Sequence, residues 1–180
     1  MKNAVKLILL VMLSTSLTSC KKIKGWFDVE VDTTIEGAFT LVSDATELKS
    51  TEDYKIDDFI TVQVLNDDLY EYEDEITSFL ASDVTFEVMS VDSSDVVLRA
   101  GTEFLIFNTK NPGIRVQLPF DWPVEIGASL TLDEASLDVI NDILDDMIDF
   151  TISASGNCNK GNVTIELRYG FKVTVIANPL

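Results

Sequence analysis

Carboxylates are the side chains this chain offers for chemistry in any number. It carries 31 Asp and Glu against 13 Lys and Arg, no histidine, and a net charge of −18. Three placements are candidate sites. Asp67–Glu75 (DDLYEYEDE) holds six carboxylates in nine residues. It is either the solvated first turn and face of a helix, where acids favour the dipole, or a contact for a cation or a basic partner. Asp92-Ser-Ser-Asp95 is a turn-like fragment of a calcium loop, but no stretch completes the D-x-[DN]-x-[DN]-G pattern. Asp145, Asp146 and Asp149 close a helical pattern, where each acid opposes the dipole by about 0.3–1 kcal/mol. They call for compensation by Arg168 or Lys172, by bound calcium or by a cationic partner, and are taken as candidate binding residues. No metal ligands and no cofactor are assigned.

The lack of histidine removes Ser-His-Asp and Cys-His catalysis, His-ligated zinc and the commonest general base. No GxSxG elbow or glycine-rich phosphate loop is present. No catalytic residue is assigned, and a non-enzymatic role is expected. Cys158 lies in the turn-rich Gly156–Asn162 stretch and is expected to be an exposed thiol without a redox partner. Phe120 and Trp122 in Pro119-Phe-Asp-Trp-Pro123 are the remaining candidate binding residues. Two prolines stiffen that loop, and buried aromatics dominate interface energetics. The competing reading is a strand corner whose aromatics plug the end of the fold.

The elements that must position these residues are mostly strands. Apolar and polar residues alternate from Phe27 to Ile35, and again in Phe59–Leu65, Val84–Val91, Ile114–Leu118, Val124–Leu130, Phe150–Ala154 and Asn162–Ala177. Val96–Arg99 and Phe104–Phe107 bracket a tight hairpin or bulge at Ala100–Glu103, and Gly170 marks a further bulge or bend. Two helices are expected, about 67–80 and 132–149. The second opens on a capping box, Thr131-Leu-Asp-Glu134. The expectation is mainly β: a single β-sandwich domain, immunoglobulin-like or related, over 26–180.

The chain begins with a basic stretch to Lys6, an apolar run Leu7–Leu13, and small polar residues ending Leu17-Thr18-Ser19-Cys20. Such an order describes a secretory signal, and the run is too short for a transmembrane helix. Leu17-Thr18-Ser19-Cys20 resembles the lipobox of bacterial lipoproteins. The resemblance implies a signal peptide over 1–19 and a lipidated tether over 20–25, with palmitate-type acylation of Cys20. The alternative is an ordinary cut nearby and a disulfide between Cys20 and Cys158. Several acyl chains at about 0.8 kcal/mol per buried CH₂ make anchoring effectively permanent. In the lipoprotein sorting pattern that this resembles, Lys21, Lys22 and Lys24 rather than acids after Cys20 imply the outer membrane, facing the periplasm.

Loss of Lys2 and Lys6 with the leader takes the net charge from −18 to −20. Such a surface repels phosphate backbones, so nucleic acid is not an expected partner. The succession of strand, acidic-aromatic segment and strand (FITVQVLNDDLYEYEDEITSFLASDVTFEV) resembles uncharacterised small lipoproteins of Bacteroidetes-type bacteria. That resemblance implies a β-sandwich and no catalytic residue. The expected role is an envelope accessory protein that docks on another envelope or outer-membrane protein. The alternative is a ligand-binding module for carbohydrate, lipid or calcium.

Overall fold

The computed structural model describes residues 28–48, 53–65 and 69–178; Cys20, the lysine-rich tether, Trp26 and Phe27 lie outside the described residues. The fold is mainly β. Its long first strand β1 (Val29–Leu48) follows from a run in which Ile35, Phe39, Leu41 and Ser43 are buried, with half-buried Gly37 filling the two-residue period. The other strands are β2 (Asp53–Val62), β3 (Ile76–Val91), β4 (Val97–Leu98), β5 (Glu103–Phe107), β6 (Ile114–Gln117), β7 (Trp122–Pro123), β8 (Ser129–Thr131), β9 (Phe150–Cys158) and β10 (Thr164–Ala177). All pairings are antiparallel and run in the order β6-β5-β9-β2-β1-β10-β3-β8, with β4 joining β7 to β9. β1 is the hinge of this curled sheet. It pairs with β10 from Val29 to Val42 and with β2 only from Ser43 onward.

Aromatic contacts join the two halves. Phe86 of β3 meets Phe104 of β5 (ring centroids 5.3 Å), and Phe150 of β9 meets Phe171 of β10 edge-on (5.2 Å). The C-terminal alternation is fully realised: Ile165, Leu167, Tyr169, Phe171, Val173, Val175 and Ala177 are all buried. Gly170 makes no bulge; it pairs in register with Glu36 and Thr85, and the register shifts fall on either side of it. The bulge expected at Ala100–Glu103 is present. β4 and β5 both lie along β9, and the chain between them turns at Gly101 (φ 88°), where Gly156 of β9 packs so tightly that a Cβ would sit 2.7 Å from Thr102 Cα. Val124–Ala128 is a turn rather than a strand, with Gly127 at φ 86° and Ala128 N–H bonded to the Glu125 carbonyl.

The helix expected over 67–80 does not form. A 3-10 turn (Tyr70–Glu75) leads directly into β3, and Asp67 and Asp68 lie outside the described residues. The expected 132–149 helix is shorter: α1 spans Glu134–Asp145. Thr131 is spent in β8, so the cap moves to Asp133, whose Oδ1 accepts from Ser136 N–H (2.9 Å). At the other end Met147 takes a left-handed φ of 51° and turns the chain back into β9.

α1 closes the outer edge of β3. Asn141 Oδ1 accepts from Ala81 N–H (2.6 Å), and one helical turn on, Asp145 Oδ1 accepts from Phe79 N–H (2.6 Å). Two amides that would otherwise template strand addition are thereby capped. Asp145→Ala is expected to lower stability by about 1 kcal/mol, whereas Asp145→Asn, which keeps an acceptor oxygen, stays near wild type. Chemical denaturation of the two variants checks this, and equal losses would contradict it.

Candidate functional site

The five candidate binding residues fall in three places. Phe120 stands 70% exposed at the tip of the loop before β7, while Trp122 is half-buried against the core and pairs with Leu98. Asp121 between them fixes the loop. Its Oδ1 accepts from Ala100 N–H (2.9 Å) and its Oδ2 from Arg99 Nη1 (2.8 Å); Arg99 Nε also donates to the buried Asp53 (2.8 Å). The bulge therefore braces the aromatic loop. Asp121 was not legible as part of this site, although an acid between two aromatics beside prolines is the kind of side chain that bonds nearby amides.

The amide of Ala100, and then Arg99, hold the Asp121 carboxyl below its ordinary value of 3.8. A lowered carboxylate pKa contributes stability that is complete above the unfolded value and is lost as pH falls through the folded one. Trp122 emission, read in a Trp26→Phe chain, is accordingly expected to hold steady from neutral pH to about pH 4 and to change only below it. A transition centred near pH 6 would contradict the role given to Asp121.

The three terminal acids of the helical pattern are not a cluster. Asp145 caps β3 as described. Asp146 Oδ2 accepts from Asn108 Nδ2 (3.0 Å) and its Oδ1 lies 3.5 Å from Lys110. The compensation expected from Arg168 and Lys172 goes elsewhere, to Glu87 (2.5 Å) and Asp83 (2.9 Å). Among the described residues, no group of Asp, Glu and Cys is placed to hold a metal ion. In the Asp92–Asp95 turn, Asp92 Oδ1 accepts from Thr164 N–H (3.0 Å) and Asp95 takes φ 53°.

Cys158 is buried rather than exposed, because β9 runs straight through Gly156 and Asn157 instead of turning there. Burial pushes its thiol pKa up, which leaves a small hydrophobe and not a nucleophile.

Asp149 stands apart. It lines a cleft of about 690 Å³ where β2 diverges from β1, together with Thr34, Glu36, Thr61, Gln63 and Tyr169 over an apolar floor of Ile35, Val62 and Leu65. Tyr169 is only 6% exposed. It crosses over its cross-strand partner Gly37, where a Cβ would stand 2.7 Å from Tyr169 Cζ. A glycine inside the alternating run of β1 was the available signal for that close approach. A second groove, about 410 Å³, opens at the start of β1 and is lined mainly by Val29, Val31, Leu69, Tyr72, Ile76 and Val175.

No family model and no curated protein matches the chain. Among solved structures, a decameric BFDV capsid protein is similar over 82% of this chain and 98% of its own, at 12% identity and a TM-score of 0.45. A structure of Desmodium yellow mottle tymovirus covers 83% of this chain and 84% of its own, at 9% identity and a TM-score of 0.35. Likenesses this loose carry no argument about function.

Proposed function

We propose that this chain is a non-enzymatic accessory lipoprotein of the bacterial cell envelope, anchored through Cys20 in the outer membrane and facing the periplasm, whose acidic β domain docks onto another envelope protein. The observation that carries this reading is Phe120, a large aromatic held out to solvent on a loop already fixed by Asp121, Arg99 and Asp53. A preordered aromatic loses little entropy on binding and suits the centre of an interface. Position supports it too. β1 starts nine residues after Cys20 and ends beside Asp53, which is bonded to Arg99, so the tether and the Phe120 loop belong to opposite ends of a long strand. We read the curled sheet as a β-sandwich, a reading supported by the ring contacts across its two halves.

Tagged protein recovered from native membranes in mild detergent is expected to bring down one stoichiometric envelope protein, and Phe120→Asp to lose it with an unchanged melting temperature. Undiminished recovery by Phe120→Asp, or no partner with either chain, overturns the docking reading. Separately, a Cys20→Ser chain is expected to leave the membrane fraction; its retention there would refute the anchor.

A second reading, a ligand-binding module, is favoured by the apolar groove beside the start of β1, whose volume suits an acyl chain. A long-chain fatty acid that raises the melting temperature supports it, and an unchanged melting temperature at saturation removes it.

A further inference from the structure

Over Val29–Val42, one edge of β1 has no strand paired with it among the described residues. β10 occupies the other edge from Val29 to Val42, and among the described residues β2 joins β1 only from Ser43 onward. The end of the strand shows which groups face the open side. Ser43 N–H donates to the Val163 carbonyl on the β10 side (3.0 Å), and Val42 N–H donates to Asp58 Oδ2 on the β2 side (2.7 Å). The β1–β10 register is unbroken over Val29–Val42. Alternation therefore turns the N–H and C=O groups of Glu30, Asp32, Thr34, Glu36, Ala38 and Thr40 to the open edge.

The side chains along this edge select what pairs with it. Glu30, Asp32 and Glu36 lie on it and Asp149 faces it across the cleft; none of the four has an ion pair among the described residues, and Arg168, the cation that feels Glu36, is bonded to Glu87. Asp32 does accept from the Thr174 hydroxyl (2.7 Å). The Tyr169 hydroxyl borders the cleft and has no protein hydrogen-bond partner among the described residues. Beside it Ile35, Val62 and Leu65 offer an apolar floor. Carboxylates that no cation holds among the described residues are free to pair with a basic segment laid along the edge. A second copy of the chain would bring like charges face to face on adjacent strands, which opposes self-pairing.

We propose that the open edge of β1 is a strand-addition site for an extended segment of a partner protein in which Lys or Arg alternates with apolar residues. The incoming backbone pairs with the even-numbered residues from Glu30 to Thr40. Its basic side chains lie beside Glu30, Asp32 and Glu36, its apolar side chains cover Ile35, Val62 and Leu65, and Tyr169 and Asp149 take a donor from it. Main-chain bonds supply affinity in this mode and side chains supply specificity. The site is distinct from the Phe120 loop.

The test uses the full-length protein in detergent micelles and a fluorescent alternating Lys-Val octapeptide. Saturable binding is expected, with slowed hydrogen exchange at the Thr34, Glu36 and Ala38 amides. A peptide N-methylated at alternate amides is expected to bind at least about tenfold more weakly. Combined Glu36→Gln and Asp149→Asn, both at the cleft mouth, are expected to weaken binding about threefold or more and to flatten its salt dependence. Phe120→Asp is expected to leave peptide binding unchanged, so failure here leaves the docking reading standing. Equal binding of the N-methylated or of a Glu-Val peptide, or unslowed exchange along β1, overturns the proposal.

Discussion

Truncating Phe171 to alanine is expected to lower the unfolding free energy by about 3–5 kcal/mol, the range for deleting a buried aromatic side chain. Phe171 is fully buried on β10, meets Phe150 of β9 at 5.2 Å and is met edge-on by Tyr169 at 6.1 Å. It thus joins the half of the sheet built on β10 and β3 to the half built on β2, β9 and β5. A domain of this kind is stable by only about 5–15 kcal/mol in total. The melting temperature is therefore expected to fall by roughly 10 °C. Phe171→Leu, which keeps most of the volume, is expected to lose less than half as much. Losses under 1 kcal/mol for Phe171→Ala would mean that the two halves do not share one core.

The second large effect is expected at Asn108, whose side chain has every hydrogen-bonding position filled. Its Nδ2 donates to the Ile143 carbonyl (3.1 Å) and to Asp146 Oδ2 (3.0 Å). Its Oδ1 accepts from Lys110 N–H (2.8 Å) and Asn111 N–H (2.7 Å). One buried amide thus shapes the β5–β6 turn and satisfies an orphan carbonyl in the last turn of α1. Asn108→Leu strips all four bonds and is expected to lose about 3 kcal/mol by urea denaturation. Asn108→Asp keeps the acceptor but sets a carboxylate against Asp146. It is expected to be destabilised at neutral pH and relieved as pH falls and its carboxyl regains a proton to donate. A leucine variant as stable as wild type would contradict the account of this turn.

Strand identity was legible wherever the two-residue period ran undisturbed, as from Ile165 to Ala177, where every odd residue is buried. It failed at Asp67–Leu80 for a specific reason. The start of β3 carries register shifts opposite Lys172/Val173 and Ile176/Ala177. Each shift changes the phase of the alternation, so the buried residues Ile76, Phe79 and Val84 are spaced by three and five rather than two. Spacing of three beside Leu69 and Tyr72 imitates a helical face. The partners of the acids that close the helical pattern were hidden for a related reason. Asp145 and Asp146 showed no partner in the sequence because theirs, the amide of Phe79 and the side chain of Asn108, lie 38 or more positions away in the chain. Of the candidate site, the Phe120 loop could be picked out from its composition. Its brace could not, because Arg99 and Asp53 meet Asp121 only through the bulge. The cleft at Tyr169 needed the β1–β10 register, which places Gly37 beneath the ring.

The central claim is that the braced Phe120 loop is where another envelope protein docks. Site-specific photocrosslinking in native membranes tests it most directly, with the probe at position 120 or at position 59. Phe59 is as exposed as Phe120, 73% against 70%, but lies in the middle of β2 and has no comparable loop. The account predicts one dominant crosslinked protein from position 120, little from position 59, and loss of the position-120 product when Asp121→Ala unfastens the loop. Equal crosslinking from both positions, or an undiminished product with Asp121→Ala, would contradict it.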